Sequence, residues 1–385
     1  MERACASSHA AHVARPACVR SKVAVTQSWL AALAASAIAA TVLVGACSTR
    51  LPPTASPSPP TASPSPSLTP VPTELVDPAD FRPSVVAFFD PDHGLAGGSI
   101  GSGDAARGAV ASTADGGVSW TIRTQLLVPV GDLAIAGNEA WALIPCRDGP
   151  DPRCGKLLHS ADAGETWDLL PATGAVAPGA GTISFVDAST GWAIGAARPP
   201  DGTVPGHGRN RLLQTSDGGL TWSAGPIPCG TDWQDLSSVQ FIDTQHGWAV
   251  CTGEGSGTMA PTQVLETVDG GVDWMTRSSA SSFARPGRLV GQPPSGPVEG
   301  AFFTPGGLGW VWQGRSGTAR SRDGGRTWTA SGPARAEEEF VSSMWFVSET
   351  EGFAVYSSTE TQELVLAATH DGGDHWRIVQ TWPKR

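Results

Sequence analysis

The stretch Thr113-Ala-Asp115-Gly-Gly-Val-Ser-Trp120 occurs six times along the chain in closely similar form. Each copy, which we call the octet, contains a hydroxyl residue, an aspartate two positions later, a glycine and a final tryptophan. The aspartates are Asp115, Asp162, Asp217, Asp269, Asp323 and Asp371, and the tryptophans are Trp120, Trp167, Trp222, Trp274, Trp328 and Trp376. Successive tryptophans are 47 to 55 residues apart. A period of about 50 residues indicates a β-propeller or a solenoid.

The residue types of the octet predict a hydrogen-bonded hairpin turn. An aspartate that follows a hydroxyl residue accepts backbone N–H groups from the turn after it. The glycines supply the positive φ angles that a tight hairpin needs. The tryptophan begins the returning strand and packs over the turn. We therefore expect the octet aspartates and tryptophans to be structural rather than catalytic.

A second motif lies about halfway between octets and consists of an apolar pair, a short turn and a Gly-aromatic-Ala segment. Clear copies begin at Phe88, Phe185 and Phe241, and weaker copies begin at Ile135, Phe302 and Phe346. The two motifs together give four strands per repeat, which we call A to D. Six repeats predict an all-β fold, a single six-bladed β-propeller of four-stranded antiparallel blades.

The paired motifs resemble those of BNR/Asp-box proteins, above all the WD/YVTN/BNR-like branch typified by the photosystem II assembly and stability factor. The resemblance covers Pro83 to Pro383. It implies a propeller and suggests a role in assembling or stabilising a membrane or envelope complex. Because the same repeat occurs in sialidases, plant-polysaccharide hydrolases and sorting receptors, it is specific for the fold and not for the function.

The N-terminal region predicts export and lipid attachment. A basic stretch precedes the apolar segment from Trp29 to Ala46, and Val44-Gly45-Ala46-Cys47 resembles the bacterial lipobox. We expect residues 1–46 to be a lipoprotein-type signal peptide and Cys47 to carry lipid. The alternative is a plain transmembrane anchor, for which about 18 apolar residues are marginal. Residues 47–80 then form a Pro/Ser/Thr-rich linker, and residues 81–385 form the propeller at the outer face of the cytoplasmic membrane.

Charge and composition exclude some partners. The formal net charge is −11, and residues 1–46 carry +3, so the rest of the chain carries −14. An acidic body without a basic run is a poor nucleic-acid binder. The eight histidines are scattered, and no metal-ligand spacing occurs. We expect a monomer with no metal and no cofactor.

The loops at one end of the propeller are predicted to form the binding face. The A–B turns and the octets are short and repetitive. The B–C loops and the D–A links at the other end are longer, and the longest segment is Thr276–Gly300. Since binding residues concentrate on loops held by a rigid frame, we expect an envelope protein, a peptide or a glycan to bind this long-loop end. Its candidate ligand-binding residues are Trp233, Arg285, Arg288, Arg147, Arg198 and Arg315. The alternatives are a buried cap for Trp233 and solvated side chains for the arginines.

Four cysteines follow Cys47, namely Cys146, Cys154, Cys229 and Cys251. In an exported chain an even set favours disulfides. The pairs 146–154 and 229–251 would both lie at the long-loop end and would rigidify its loops for binding. Stabilisation alone is an equally open interpretation.

No known catalytic motif was found in the sequence. A sialidase needs a tyrosine nucleophile, acidic partners and three arginines for the substrate carboxylate; the one tyrosine, Tyr356, lies in no pattern of that kind. We therefore assign no catalytic residue and expect a binding or assembly scaffold. The alternative is a sialidase-like or other glycoside hydrolase with a non-standard site. Two carboxylates facing each other across the long-loop mouth, about 5–10 Å apart, would favour the enzyme, whereas an aromatic or arginine patch without them would favour the scaffold.

Overall fold

The computed structural model describes residues 81–101, 106–145, 155–171, 178–179, 181–196, 210–230, 235–253, 260–281, 291–313, 317–333, 340–358, 361 and 363–383. These residues form 24 β-strands and no helix. Within them, accordingly, there is no helix of the length and hydropathy that a membrane span requires. The signal peptide, the lipidated Cys47 and the linker predicted for residues 1–80 lie outside the described residues.

The first three blades cover residues 81–224. Blade 1 contains β1 (Phe81–Phe88), β2 (Gly94–Ile100), β3 (Arg107–Thr113) and β4 (Thr121–Leu126). Blade 2 contains β5 (Asp132–Ala136), β6 (Glu139–Leu143), β7 (Leu157–Ser160) and β8 (Asp168–Leu169). Blade 3 contains β9 (Ile183–Phe185), β10 (Gly191–Ala196), β11 (Asn210–Thr215) and β12 (Ser223–Ala224).

The last three blades cover residues 235–383. Blade 4 contains β13 (Asp235–Phe241), β14 (Gly247–Thr252), β15 (Thr262–Thr267) and β16 (Met275–Ala280). Blade 5 contains β17 (Val298–Phe303), β18 (Gly309–Gln313), β19 (Gly317–Ser321) and β20 (Thr329–Ala330). Blade 6 contains β21 (Phe340–Phe346), β22 (Gly352–Ser357), β23 (Glu363–Thr369) and β24 (Arg377–Pro383).

Each blade is a sheet of four consecutive antiparallel strands, which confirms the predicted six-bladed propeller. The first strand of each blade, which we call the inner strand, contacts the inner strand of the next blade, and β21 contacts β1. The ring is therefore closed. Blades 1 and 6 are each built from one continuous segment, so closure depends on side-chain contacts rather than on a shared strand.

Aromatic stacking joins consecutive blades. An aromatic residue in the second strand of one blade stacks on the phenylalanine that ends the inner strand of the next. The pairs are Trp141–Phe185, Trp192–Phe241, Trp248–Phe303 and Trp310–Phe346, with ring centroids 3.6–5.7 Å apart, and Phe353–Phe88 closes the ring. These buried contacts form a core that runs between the blades and around the axis.

The octet forms a turn held by side-chain hydrogen bonds. In blade 1, the Thr113 hydroxyl donates to Asp115 Oδ1 at 2.8 Å and accepts the N–H of Gly117 at 2.9 Å. Asp115 also accepts the N–H of Ser119 at 2.8 Å. The indole N–H of Trp120 donates to the carbonyl of Gly117 at 3.1 Å.

The same hydrogen bonds stabilise the charged form of the octet carboxylates. In blade 2, the hydroxyl of Thr166, its backbone N–H and the hydroxyl of Ser160 lower the pKa of Asp162 to about 2. All these bonds lie within the turn itself, so the geometry indicates a structural role for the octet aspartates.

Two sequence expectations need correction. The second motif of blade 5 begins at Phe303 and not at Phe302, because Phe303 pairs with Gly309 as Phe88 pairs with Gly94. A Cβ on either glycine would lie 2.5 Å from the ring, so the glycine fixes the register. The loop segment expected from Thr276 is also shorter, because β16 continues to Ala280 and β17 begins at Val298.

Candidate functional site

A cavity of about 470 Å³ lies at the propeller axis, lined by residues from all six inner strands. We call it the axial cavity. Its volume lies within the range typical of small-molecule and side-chain binding sites, about 300–1,000 Å³. The inner strands begin at the long-loop end and finish at the short turns, so their first residues surround the long-loop mouth.

Polar side chains at one register position connect neighbouring inner strands. Each accepts a backbone N–H from the inner strand of the next blade. The pairs are Asp132 with Ile183, Thr182 with Val239, Ser238 with Ala301, and Ser343 with Val86, at 2.8–3.2 Å. The last pair joins blade 6 to blade 1. Since three of the four acceptors are hydroxyls, a hydroxyl is sufficient for this bond.

Asp132 brings a carboxyl group to a position where a hydroxyl would serve. It lines the axial cavity and is partly exposed toward it. Burial raises the pKa of Asp132 to about 7, and the N–H groups of Ile183 and Leu133 only partly oppose this shift. The carboxyl group is therefore protonated below about pH 7, where it can donate a hydrogen bond. Above about pH 7 it is ionised and only accepts hydrogen bonds.

Glu299 supplies a second carboxylate to the same cavity from the start of β17. Its side chain is exposed and makes no hydrogen bond or ion pair within the described part of the chain. Asp132 belongs to blade 2 and Glu299 to blade 5. In a six-membered ring these blades lie opposite each other, so the backbone segments that carry the two acids lie on opposite sides of the cavity.

Trp312 lines the cavity beside Glu299 and is 6% exposed. Its ring lies over the backbone of Gly300, where a Cβ would come within 2.2 Å of Trp312 Cζ2. The indole Nε1 has no hydrogen-bond acceptor within the described residues. The nitrogen is enclosed by protein, as are the unpaired indole nitrogens of Trp310 and Trp376, so Trp312 contributes its aromatic ring to the cavity rather than its N–H.

Aromatic residues fill the part of the cavity nearer the short turns. Phe302 meets Trp345 edge-on, with ring centroids 5.2 Å apart. The indole N–H of Trp345 donates to the Phe88 carbonyl at 2.9 Å, across the junction of blades 6 and 1. The axial cavity thus has a polar, acidic mouth and an aromatic base.

Most of the site residues predicted from sequence lie outside the described residues: Trp233, Arg285, Arg288, Arg147, Arg198, Arg315, Cys47, Cys146 and Cys154. Cys229 and Cys251 form a disulfide, with their Cα atoms 5.8 Å apart. Both sulfurs are buried in the cluster between blades 3 and 4. The octet aspartates lie at the opposite end of the blades from the cavity mouth.

Asp132, Glu299 and Trp312 were not predicted from sequence. Trp312 could have been chosen as a candidate site residue from the sequence, because it lies outside the two repeated tryptophan positions, as does Trp233. Asp132 had a weaker signal, since its register partners in blades 3, 4 and 6 are Thr182, Ser238 and Ser343. Recognising that signal requires the inner strands to be aligned by structure.

The sialidase constellation is absent from the described part of the cavity. Tyr356 packs in the core between blades 5 and 6 and does not line the cavity. Of the described lining residues, none is an arginine. In the same part of the chain, no three His, Cys, Asp or Glu side chains are grouped to hold a metal ion.

The comparisons with known proteins identify folds. No protein-family model matches the chain, and neither does any curated protein. The structure of YCF48 bound to D1 peptide is 18% identical, covering 76% of this chain and 79% of that chain, with a TM-score of 0.43. YCF48 from Cyanidioschyzon merolae is 15% identical, with coverages of 78% and 86% and a TM-score of 0.46. The α-L-arabinofuranosidase arb93a from Fusarium graminearum is 11% identical, with coverages of 74% and 91% and a TM-score of 0.50. At these identities the similarity is one of fold alone.

Proposed function

We propose that this chain is a lipid-anchored extracytoplasmic scaffold whose propeller binds a peptide segment of another protein at the axial cavity. One observation carries the proposal: a preformed cavity of about 470 Å³ with an aromatic base and polar side chains at its mouth lies at the propeller axis. Cavities of this size with aromatic walls and a few placed polar groups are typical binding sites.

A peptide satisfies the cavity better than a rigid apolar ligand. The exposed carboxylate of Glu299 accepts hydrogen bonds, which the N–H groups of a peptide supply. Hydroxyl groups of Ser237 and Ser342 also line the mouth and provide further neutral polar contacts. A side chain of the peptide would then enter toward Phe302 and Trp345.

The proposal is tested by binding of short peptides from exported and membrane proteins to the detergent-solubilised full chain. The blocking variant is Ser342→Trp, which places a large side chain at an exposed position of the mouth. The control is Val118→Trp, at an exposed octet position of the opposite end. Peptides should bind the native chain and the control but not the blocked variant. Equal binding by all three, or no binding at all, would contradict the proposal.

Membrane attachment through Cys47 is the second part of the proposal, supported by the lipobox-like sequence before that residue. Lipid replaces a transmembrane span as the anchor. Cys47→Ser should abolish lipid attachment and leave residues 1–46 on the chain, because the signal is cut only after the cysteine is lipidated; the masses of the native and variant chains measure both changes. If the native chain carries no lipid and keeps residues 1–46, the anchor is the apolar segment itself.

A glycoside hydrolase is the second candidate function, favoured by one observation. Asp132 and Glu299 line the same cavity from opposite blades, and Asp132 has a pKa raised to about 7. In such an enzyme Asp132 would protonate the leaving glycosidic oxygen while Glu299 acted as base or nucleophile. A screen with aryl glycosides tests this function. Activity that is abolished by Asp132→Asn and by Glu299→Gln would support it and would displace the scaffold.

A further inference from the structure

The charge of the axial cavity is one-sided. Asp132 and Glu299 are the titratable side chains among its described lining residues, and that lining contains no lysine, arginine or histidine. Glu299 is exposed at the mouth, and Asp132 lines the opposite wall with a carboxyl group that is ionised above about pH 7. Within the described lining, no side chain neutralises these charges.

The aromatic lining favours the same sign of ligand charge. Phe302, Trp312 and Trp345 all line the cavity. The face of an aromatic ring attracts a cation, and this attraction strengthens when the cation is desolvated. Carboxylates at the mouth and aromatic rings below them together suit a long side chain that carries a positive charge at or near its tip.

A peptide suits this lining better than a bare metal ion, since no three His, Cys, Asp or Glu side chains of the described residues are grouped to hold a metal.

We propose that the axial cavity binds a lysine or arginine side chain of the bound peptide, whose positive charge is attracted by Glu299 and Asp132 and whose stem lies beside the aromatic rings. This inference rests on the proposed peptide-binding function and specifies which side chain is recognised. Gly300 has a positioning role, because any larger residue would displace the Trp312 ring.

The test uses pools of short, otherwise randomised peptides that differ only in a fixed central residue: lysine, arginine, Nε-acetyllysine or glutamate. The solubilised full chain is immobilised, and the retained fraction of each pool is measured. The lysine and arginine pools should be retained roughly tenfold more than the acetyllysine and glutamate pools, since acetylation removes the charge but keeps most of the side chain.

Two variants locate the contact. Glu299→Gln should reduce retention of the lysine pool roughly fivefold, as expected for an exposed charge pair. Trp312→Leu removes the aromatic ring from the lining and should reduce retention of the lysine and arginine pools roughly threefold. Glu165→Gln, an exposed carboxylate of an octet, is the matched control and should change nothing.

The outcomes separate the two proposals. If peptides bind but the acetyllysine or glutamate pool is retained as well as the lysine pool, the cationic specificity is wrong and the scaffold function stands. If Glu299→Gln leaves the preference for lysine unchanged, the assigned site is wrong. If no pool is retained, both the peptide-binding function and this inference are overturned.

Discussion

The ring of Phe353 in the last blade stacks on the ring of Phe88 in the first, with centroids 3.5 Å apart and planes within 5°. The contact repeats the one between Trp141 and Phe185 of blades 2 and 3, where the centroids are 3.8 Å apart. Because blades 1 and 6 share no strand, this stack and the hydrogen bond from Val86 to Ser343 close the propeller.

We expect Phe353→Ala to lower the free energy of unfolding by about 3–5 kcal/mol, because Phe353 is buried at the closing junction. Urea denaturation of the purified full chain measures the change. Phe353→Leu keeps most of the volume and should cost less, so it covers the case in which the alanine variant does not fold. Ile378→Ala, at a side chain 58% exposed, is the control and should change stability by less than about 0.5 kcal/mol. Equal effects of Phe353→Ala and Ile378→Ala would contradict the closure argument.

The blades could be predicted from sequence because their signals are local. The glycine of the second motif gives space to the phenylalanine six positions earlier, and the octet hydrogen bonds lie within one turn. The register of blade 5 was also readable, because Phe303 and not Phe302 lies six positions before Gly309; the adjacent aromatic pair concealed that spacing. Asp132, Glu299 and Trp312 were missed for a different reason: they meet only when six inner strands from distant parts of the chain surround the axis.

The octets of blades 4 and 6 depart from the others at their seventh position. Ser119, Thr166, Thr221 and Thr327 each donate a hydroxyl to the second oxygen of their octet aspartate, at 2.5–2.6 Å. Blade 6 has His375, whose ring Nδ1 lies 2.7 Å from Asp371 Oδ2. Blade 4 has Asp273, which supplies only its backbone N–H to Asp269.

Asp273→Thr should therefore raise the free energy of unfolding at neutral pH, since it adds a hydrogen bond and removes an acidic neighbour of Asp269. Thr221→Asp is the reciprocal variant in blade 3 and should lower stability by a similar amount. Denaturation of both variants beside the native chain checks the prediction. Changes of the same sign in the two variants would show that the hydroxyl is not the cause.

The disulfide between Cys229 and Cys251 closes a segment with a sequence separation of 22 residues at the long-loop end. In the chain-entropy model, a loop of this length stabilises the folded state by about 3 kcal/mol. Reduction with a thiol should lower the stability of the native chain by about that amount. The double variant Cys229→Ala/Cys251→Ala should be less stable at the outset and should not respond to the reductant. A native chain whose unfolding is insensitive to reduction would contradict the prediction.

Asp132 should make stability fall as the pH rises. Its pKa is raised to about 7 in the folded protein from 3.8, so the folded state holds a proton that the unfolded state releases. The stabilisation is complete below about pH 4 and is lost by about pH 7. Over this window, the free energy of unfolding of Asp132→Asn should rise relative to that of the native chain by on the order of 2–4 kcal/mol. Urea denaturation at a series of pH values measures the difference.

Asp162→Asn is the control of opposite sign. Asp162 has a pKa lowered to about 2, so its charge stabilises the native chain above about pH 4, and that stabilisation disappears toward about pH 2. A difference between Asp132→Asn and the native chain that is constant with pH would mean that Asp132 has the same pKa in the folded and unfolded states.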